Sequence, residues 1–203
     1  MAIESGSDLR FQAPIALLAI LVLAGCAGRE LWPEERLDQK TAVNVTIMAE
    51  PWVYSRDVPM LAANARDYLN VGVVETNRAG TRAYWLGVVS WSTIDRSVFA
   101  TNTAPARLPK VRLGWQKTRL ELSPATGGRD AAGLSAPLFT GAATRFEESW
   151  YPLSIDEVVR LGASAPIAVA LVDEAGGLTT YEAWNVKGVA IMEFLKATGL
   201  DRL

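Results

Sequence analysis

Val43, Val45 and Ile47 alternate with Asn44 and Thr46, a period of two that predicts a strand with one buried face. Residues 68–75 and 82–93 extend this character. Between them, 76–81 contain Asn77 and Gly80, which reach left-handed conformations at low cost, so the two stretches read as a hairpin. The second stretch is apolar on both parities through Trp85, Leu86, Val88, Val89 and Trp91. It is expected to be a central strand covered on both sides, with Trp85 and Trp91 in the core. Asn70 and Gly72 in its partner suggest a less crowded face or a bulge. Pro51 and Pro59 predict a break around Trp52 and Tyr54, followed by a short helical turn over 61–66.

Residues 110–115 and 117–122 predict two one-sided strands joined near Gly114. Val111, Leu113, Leu120 and Leu122 would point inward, and Lys110, Arg112 and Arg119 outward. The run 123–141, rich in Gly, Pro and small polar residues, is expected to be a mobile surface loop. A strand over 145–151 places Phe146 and Trp150 on one parity. Ser154 and Glu157 have the spacing of a capping box, Leu153 and Val158 that of a hydrophobic staple, and Gly162 is read as the helix stop. A second hairpin joins 167–173 to 178–184 through 174–177. Asn185 is expected to cap a last helix that buries Val189, Ile191, Met192, Phe194 and Leu195 and ends at Gly199. The order predicts a mainly β fold, an antiparallel β-sandwich or mixed sheet with two short helices. An α+β sheet covered on one face is the alternative.

Ahead of this domain, residues 13–24 are almost wholly apolar and lead into Gly25 and Cys26. The run is shorter than the roughly 20 residues that cross a bilayer as a helix, and it has the length of an export-signal core. Leu23-Ala24-Gly25-Cys26 resembles the lipobox of bacterial lipoproteins, a resemblance confined to about the first 26 residues. Arg10 is the only basic side chain before the run, beside Glu4 and Asp8, so the leading region carries less positive charge than the family's pattern. The resemblance implies removal of 1–25, acylation of the Cys26 thiol (palmitate among the chains) and a mature chain that begins there. Ala27, where many inner-membrane lipoproteins carry aspartate, implies the outer membrane and a periplasm-facing domain. At about 0.8 kcal/mol per buried CH₂, several acyl chains anchor a protein without a span. The charged stretch that follows completes a lipidated tether over 26–40, with a single β-rich domain over 41–203.

The chain has 203 residues, a formal charge of −2, no histidine and one cysteine. These counts exclude Ser-His-Asp and Cys-His nucleophile systems, His-ligated metals and an intrachain disulfide. The near-balanced charge gives no reason to expect nucleic acid. Glu147 and Glu148 are neighbours on a predicted strand and would face opposite sides. Asp57, Asp67, Asp95 and Asp130 lack metal-site spacing, and 127–130 lacks the lysine of a phosphate-binding loop. No catalytic residue, metal ligand or cofactor is assigned. Residues 105–120 carry Arg107, Lys110, Arg112, Lys117 and Arg119 with Trp115 among them and no acidic side chain. Lys110, Arg112, Lys117 and Arg119 form the candidate contact with an anionic partner. The expected function is a lipid-anchored envelope binding or assembly module. Its expected partners are membrane lipid through Cys26 and an envelope protein or anionic envelope component. A purely structural envelope lipoprotein is the alternative, and a carboxylate-dependent hydrolase the remaining reading.

Overall fold

The computed structural model describes residues 31–60, 64–94, 109–137 and 146–203. The chain runs β1 (Glu34–Asp38), β2 (Val43–Ile47), β3 (Trp52–Asp57), β4 (Arg66–Arg78), β5 (Thr81–Ser92), β6 (Lys110–Gly114) and β7 (Arg119–Leu122). It continues through β8 (Glu147–Leu153), α1 (Ile155–Ala163), β9 (Ala168–Val172), β10 (Leu178–Asn185) and α2 (Gly188–Thr198). The described ladders are all antiparallel, and the strands form one open sheet, mainly β with two short helices as expected.

β4 is the hub. One edge pairs with β5 along its whole length, and β5 pairs in turn with β8. The other edge is shared. Its first half carries β3, and through it β10, β9, β6 and β7, while its second half carries β2 and β1. The β4–β5 hairpin closes through Ala79 and Gly80, both at positive φ, and Asn77 Oδ1 accepts a 3.0 Å bond from Gly80 N–H. No bulge falls at Gly72, which pairs directly with Gly87.

Strand parity separates two cores. The inner face contributes Trp52, Tyr54, Leu69, Val71, Val73, Leu86, Val88, Val111, Leu113, Tyr151, Val169 and Tyr181, closed over by Val158 and Leu161 of α1 and Ile191 and Phe194 of α2. Three aromatic hydroxyl and indole groups of this face tie its strands to the connecting segments, since a buried polar tip gains by finding an acceptor. The Tyr151 hydroxyl donates to Pro109 O at 2.7 Å, Tyr54 to Pro166 O at 2.9 Å, and Trp52 Nε1 to Lys187 O at 3.1 Å. Burial pushes the Tyr151 phenol up to about 12 and the Tyr54 phenol further still. The outer face of β2, β4, β5 and β8 makes the second core from Val43, Val45, Ile47, Val74, Val89 and Trp150, with Phe146 and Trp85 against it. β5 is therefore covered on both sides, as its two apolar parities require.

Several expectations are corrected. Trp52 and Tyr54 are fully buried side chains of a strand rather than part of a break, because the prolines at 51 and 59 stand just outside β3 and leave its ladder bonds intact. The segment 124–137 is not a mobile loop: Ala132 and Leu134 are buried in the second core, and Ala125 N–H donates to Trp150 O at 2.7 Å. Its short side chains suit close packing on the sheet. The tether predicted over 26–40 contains β1, which adds to β2, so only 27–33 separate Cys26 from the first strand. The box of Ser154 and Glu157 caps α1 as expected. Gly162, however, lies inside that helix and not at its end, since it provides room for Leu195. Asn185 ends β10, and α2 starts at Gly188 without a side-chain cap. The buried side of α2 is Ala190, Ile191, Phe194, Leu195 and Thr198, leaving Val189 and Met192 exposed; Gly199 terminates it at φ 72° as predicted. Cys26, Asp95, Arg107, Arg145, and the ends of the stretches 61–66 and 123–141 that fall at 61–63 and 138–141 lie outside the described residues.

Candidate functional site

Where the outer sheet face is not covered by 124–137, parity turns charged and aromatic side chains to solvent. One cross-strand row traverses seven strands as Trp91, Tyr68, Ser55, Glu182, Ala168, Gly114 and Arg119. At the β5 end the Tyr68 and Trp91 rings stack at 4.3 Å and 13°, and Trp91 Nε1 donates to Asn70 Oδ1 at 3.3 Å. Trp184, two residues beyond Glu182, keeps the same face by strand alternation at the bulge between Ala183 and Asn185, and the small Ser55 on the intervening strand lets it reach the Tyr68 edge at 6.2 Å. The Arg66 guanidinium lies 4.7 Å over the Trp184 ring and bonds Asp57 at 2.7 Å. Trp91 thus belongs to neither core, contrary to the expectation drawn from its apolar neighbours. Trp85 is partly buried against the second one.

The predicted cations sit at the other end of the face. Val111 and Leu113 are buried as the alternation required, which turns Lys110 and Arg112 outward beside Arg119, with Lys117 exposed in the β6–β7 turn. Their surroundings differ from the acid-free run read in the sequence. Glu121 on β7 faces Arg112 across the ladder and accepts from both Arg112, at 2.7 Å, and Lys110, at 3.2 Å. The Arg112 hydrogen bond first, and Lys110 next, hold the Glu121 carboxyl below its ordinary value. Trp115 is directed away to α1, where its Nε1 donates to Ser164 O at 2.7 Å and its ring lies under Arg160.

The carboxylates do not converge as a catalytic pair. Asp67 takes both Arg56 Nε and Nη2 on one oxygen, and Glu148 pairs with Arg129 at 3.2 Å while Glu147 is exposed on the opposite parity. Among the described residues no group of three His, Cys, Asp or Glu side chains could hold a metal ion, and no helix is long and apolar enough to cross a membrane. Sequence reading singled out the cations but missed Tyr68, Arg66 and Trp184. The available signal was an aromatic on the outward parity of each strand, and it becomes a cluster only once β10 is placed beside β3. The chain matches no protein-family model, and it matches no curated protein and no solved structure.

Proposed function

We propose that this chain is a lipid-anchored binding or assembly module of the bacterial cell envelope, attached at the outer membrane through Cys26 and facing the periplasm. The placement rests on the apolar run at 13–24 and the lipobox-like Leu23-Ala24-Gly25-Cys26. The binding role rests on the outer sheet face. Trp184 is 57% exposed there although it meets the edge of Tyr68, itself stacked on Trp91, and lies under an arginine, a composition typical of interface centres. Ser55, the exposed Glu182, Ala168 and Gly114 separate this cluster from Lys110, Arg112, Lys117 and Arg119, whose four charges exceed those of Glu121 and Glu182. The partner is an anionic envelope component or an acidic protein patch, met by cations on one side and aromatic surface on the other.

Two measurements test this reading. Intact-mass analysis of protein from native membranes should find a chain that starts at an acylated Cys26, and Cys26→Ser exported through a different signal should be soluble and folded. A chain that retains 1–25 with an unmodified cysteine refutes the placement. Co-purification from gently solubilised membranes should recover a partner with wild type that Trp184→Ala loses; equal recovery by both would remove the aromatic cluster from the interface.

A further inference from the structure

The polar end of the inner face is not used by the reading above, and it forms a cleft of about 440 Å³ beside the last turn of α2. Its floor is two cross-strand rows. Leu37, Asn44, Asn77 and Arg82 make one, and Glu35, Thr46, Glu75 and Tyr84 the other, each crossing β1, β2, β4 and β5. Ala197 of α2 forms part of the wall. On β4 the inward positions 69, 71 and 73 are core residues, and the next inward position is a carboxylate.

Glu75 is costly there for a purely structural residue. Its side chain is 5% exposed, and among the described residues its ion pair runs from Oε1 to Arg82 Nε at 3.1 Å. Oε2 is buried and closes no hydrogen bond of ordinary geometry among the described residues, and the Tyr84 hydroxyl is close enough to feel the Glu75 carboxylate. Burial first, and then the Glu75 charge, raise the Tyr84 phenol above its ordinary value. What the arrangement achieves is orientation. By taking Nε, Glu75 leaves both terminal nitrogens of the 45% exposed Arg82 side chain to meet an anion in the fork geometry that guanidinium groups offer carboxylates. At the opposite end of the floor stands the exposed Glu35 carboxylate. The polar side chains of Asn44, Thr46 and Asn77 lie between them, and Asn77 Oδ1 is already engaged by Gly80 N–H, which leaves its amide N–H groups for a ligand.

We propose that this cleft binds a short zwitterionic peptide of two or three residues, its ammonium on Glu35, its carboxylate on Arg82 and its backbone on Asn44, Thr46 and Asn77. The dimensions agree. Three strand spacings separate β1 from β5, about 14 Å at roughly 4.8 Å each, and Glu35 and Arg82 stand in adjacent rows offset by two residues, so their backbone positions are about 16 Å apart, a gap to be shared between the ligand and two long side chains. An extended tripeptide spans about 10 Å. Arg36 also borders the cleft, but it lies on the opposite parity of β1 and pairs with Glu34 at 3.7 Å, so a free anion at Arg82 would meet Glu35 and Glu75 as repulsion, and a simple cation would leave the Arg82 fork unused. Only a ligand with both charges at this separation uses both ends. Glu75 acts through Arg82 and is a positioning residue. The inference stands independently of where the chain is anchored.

The test uses the full chain in mild detergent, with tri-alanine as the probe and calorimetric titration as the readout. Free tri-alanine should bind saturably, and either N-acetylation or C-terminal amidation should weaken it at least tenfold, the loss of one charge-assisted contact. Glu35→Gln changes an exposed side chain and should bind free and N-acetylated peptide with equal, reduced affinity. Arg82→Lys should retain charge yet lose at least part of the affinity; should that variant unfold, the amidated peptide on wild type reports the same contact. No saturable heat up to about 10 mM tri-alanine, well beyond the weak-binding range, overturns the proposal. So does binding indifferent to both terminal blocks, or unchanged affinity in Glu35→Gln.

Discussion

Gly162 of α1 faces the Leu195 side chain of α2 where a Cβ could not be added without displacing Leu195. Leu195 is itself buried, so the displacement forces a poor rotamer in a packed core. Gly162→Ala should therefore destabilise by about 1–2 kcal/mol, overpacking outweighing the roughly 1 kcal/mol that alanine gains in a helix. In a Leu195→Ala background the same change should become neutral or stabilising. Urea unfolding of the four proteins gives the coupling directly, and additive effects would disprove the contact.

The β4–β5 turn carries a cost that a single substitution should relieve. Ala79 has φ 49° and Gly80 φ 89°, the positive pair of a type I′ turn, and alanine is poorly suited to the first position. Ala79→Asn should stabilise by about 0.5–1 kcal/mol. An unchanged or lower urea midpoint would show that the turn is not strained at this residue.

Asp38 couples the β1–β2 turn to the segment that covers the second core. It accepts from Ser135 N–H at 2.6 Å and Ser135 Oγ at 2.8 Å, with further bonds from Lys40 and Thr41 N–H. The Ser135 backbone bond foremost lowers its pKa from 3.8 to about 2. The folded value lies below the unfolded one, so the stabilisation is fully present above about pH 4 and is lost as pH falls toward 2. Asp38→Asn should lessen the acid sensitivity of unfolding between those limits. Carboxyl NMR should find a midpoint near 2, and a midpoint near 4 would contradict the geometry.

The Glu121 pairing sharpens the expectation for the cationic strand face. Reversing Lys110, Arg112 and Arg119 to glutamate should leave the fold intact, since exposed ion pairs add little stability. It should abolish capture of an anionic envelope partner that wild type binds more weakly as salt rises. Glu121→Gln should do the opposite and strengthen capture, because it frees two cations. Quantitative membrane pull-downs at low and high salt separate these outcomes, and recovery unaltered by either change would exclude the face.

What the sequence determined by itself was local. Alternation assigned Val111, Leu113 and Val43 to buried faces, and the two-sided character of 85–91 announced a strand with a neighbour on each face. Turn chemistry at Gly80 and Gly176 placed both hairpins, and the Ser154–Glu157 spacing placed a cap, since each depends on residues a few positions apart. Only tertiary structure decided what those faces meet. Whether prolines flank or break β3, whether Ala132 and Leu134 face solvent or seal a core, and whether Gly162 ends a helix or admits Leu195 depend on partners distant in sequence. Trp91 illustrates the limit: its hydrophobicity is intrinsic, but its position outside both cores follows from strand parity and from a stacking partner, Tyr68, twenty-three residues earlier. The same holds for the cleft, because Glu35, Glu75 and Arg82 share a floor only after β1, β2, β4 and β5 pair, and a periodicity read along one strand carries no information about register across four.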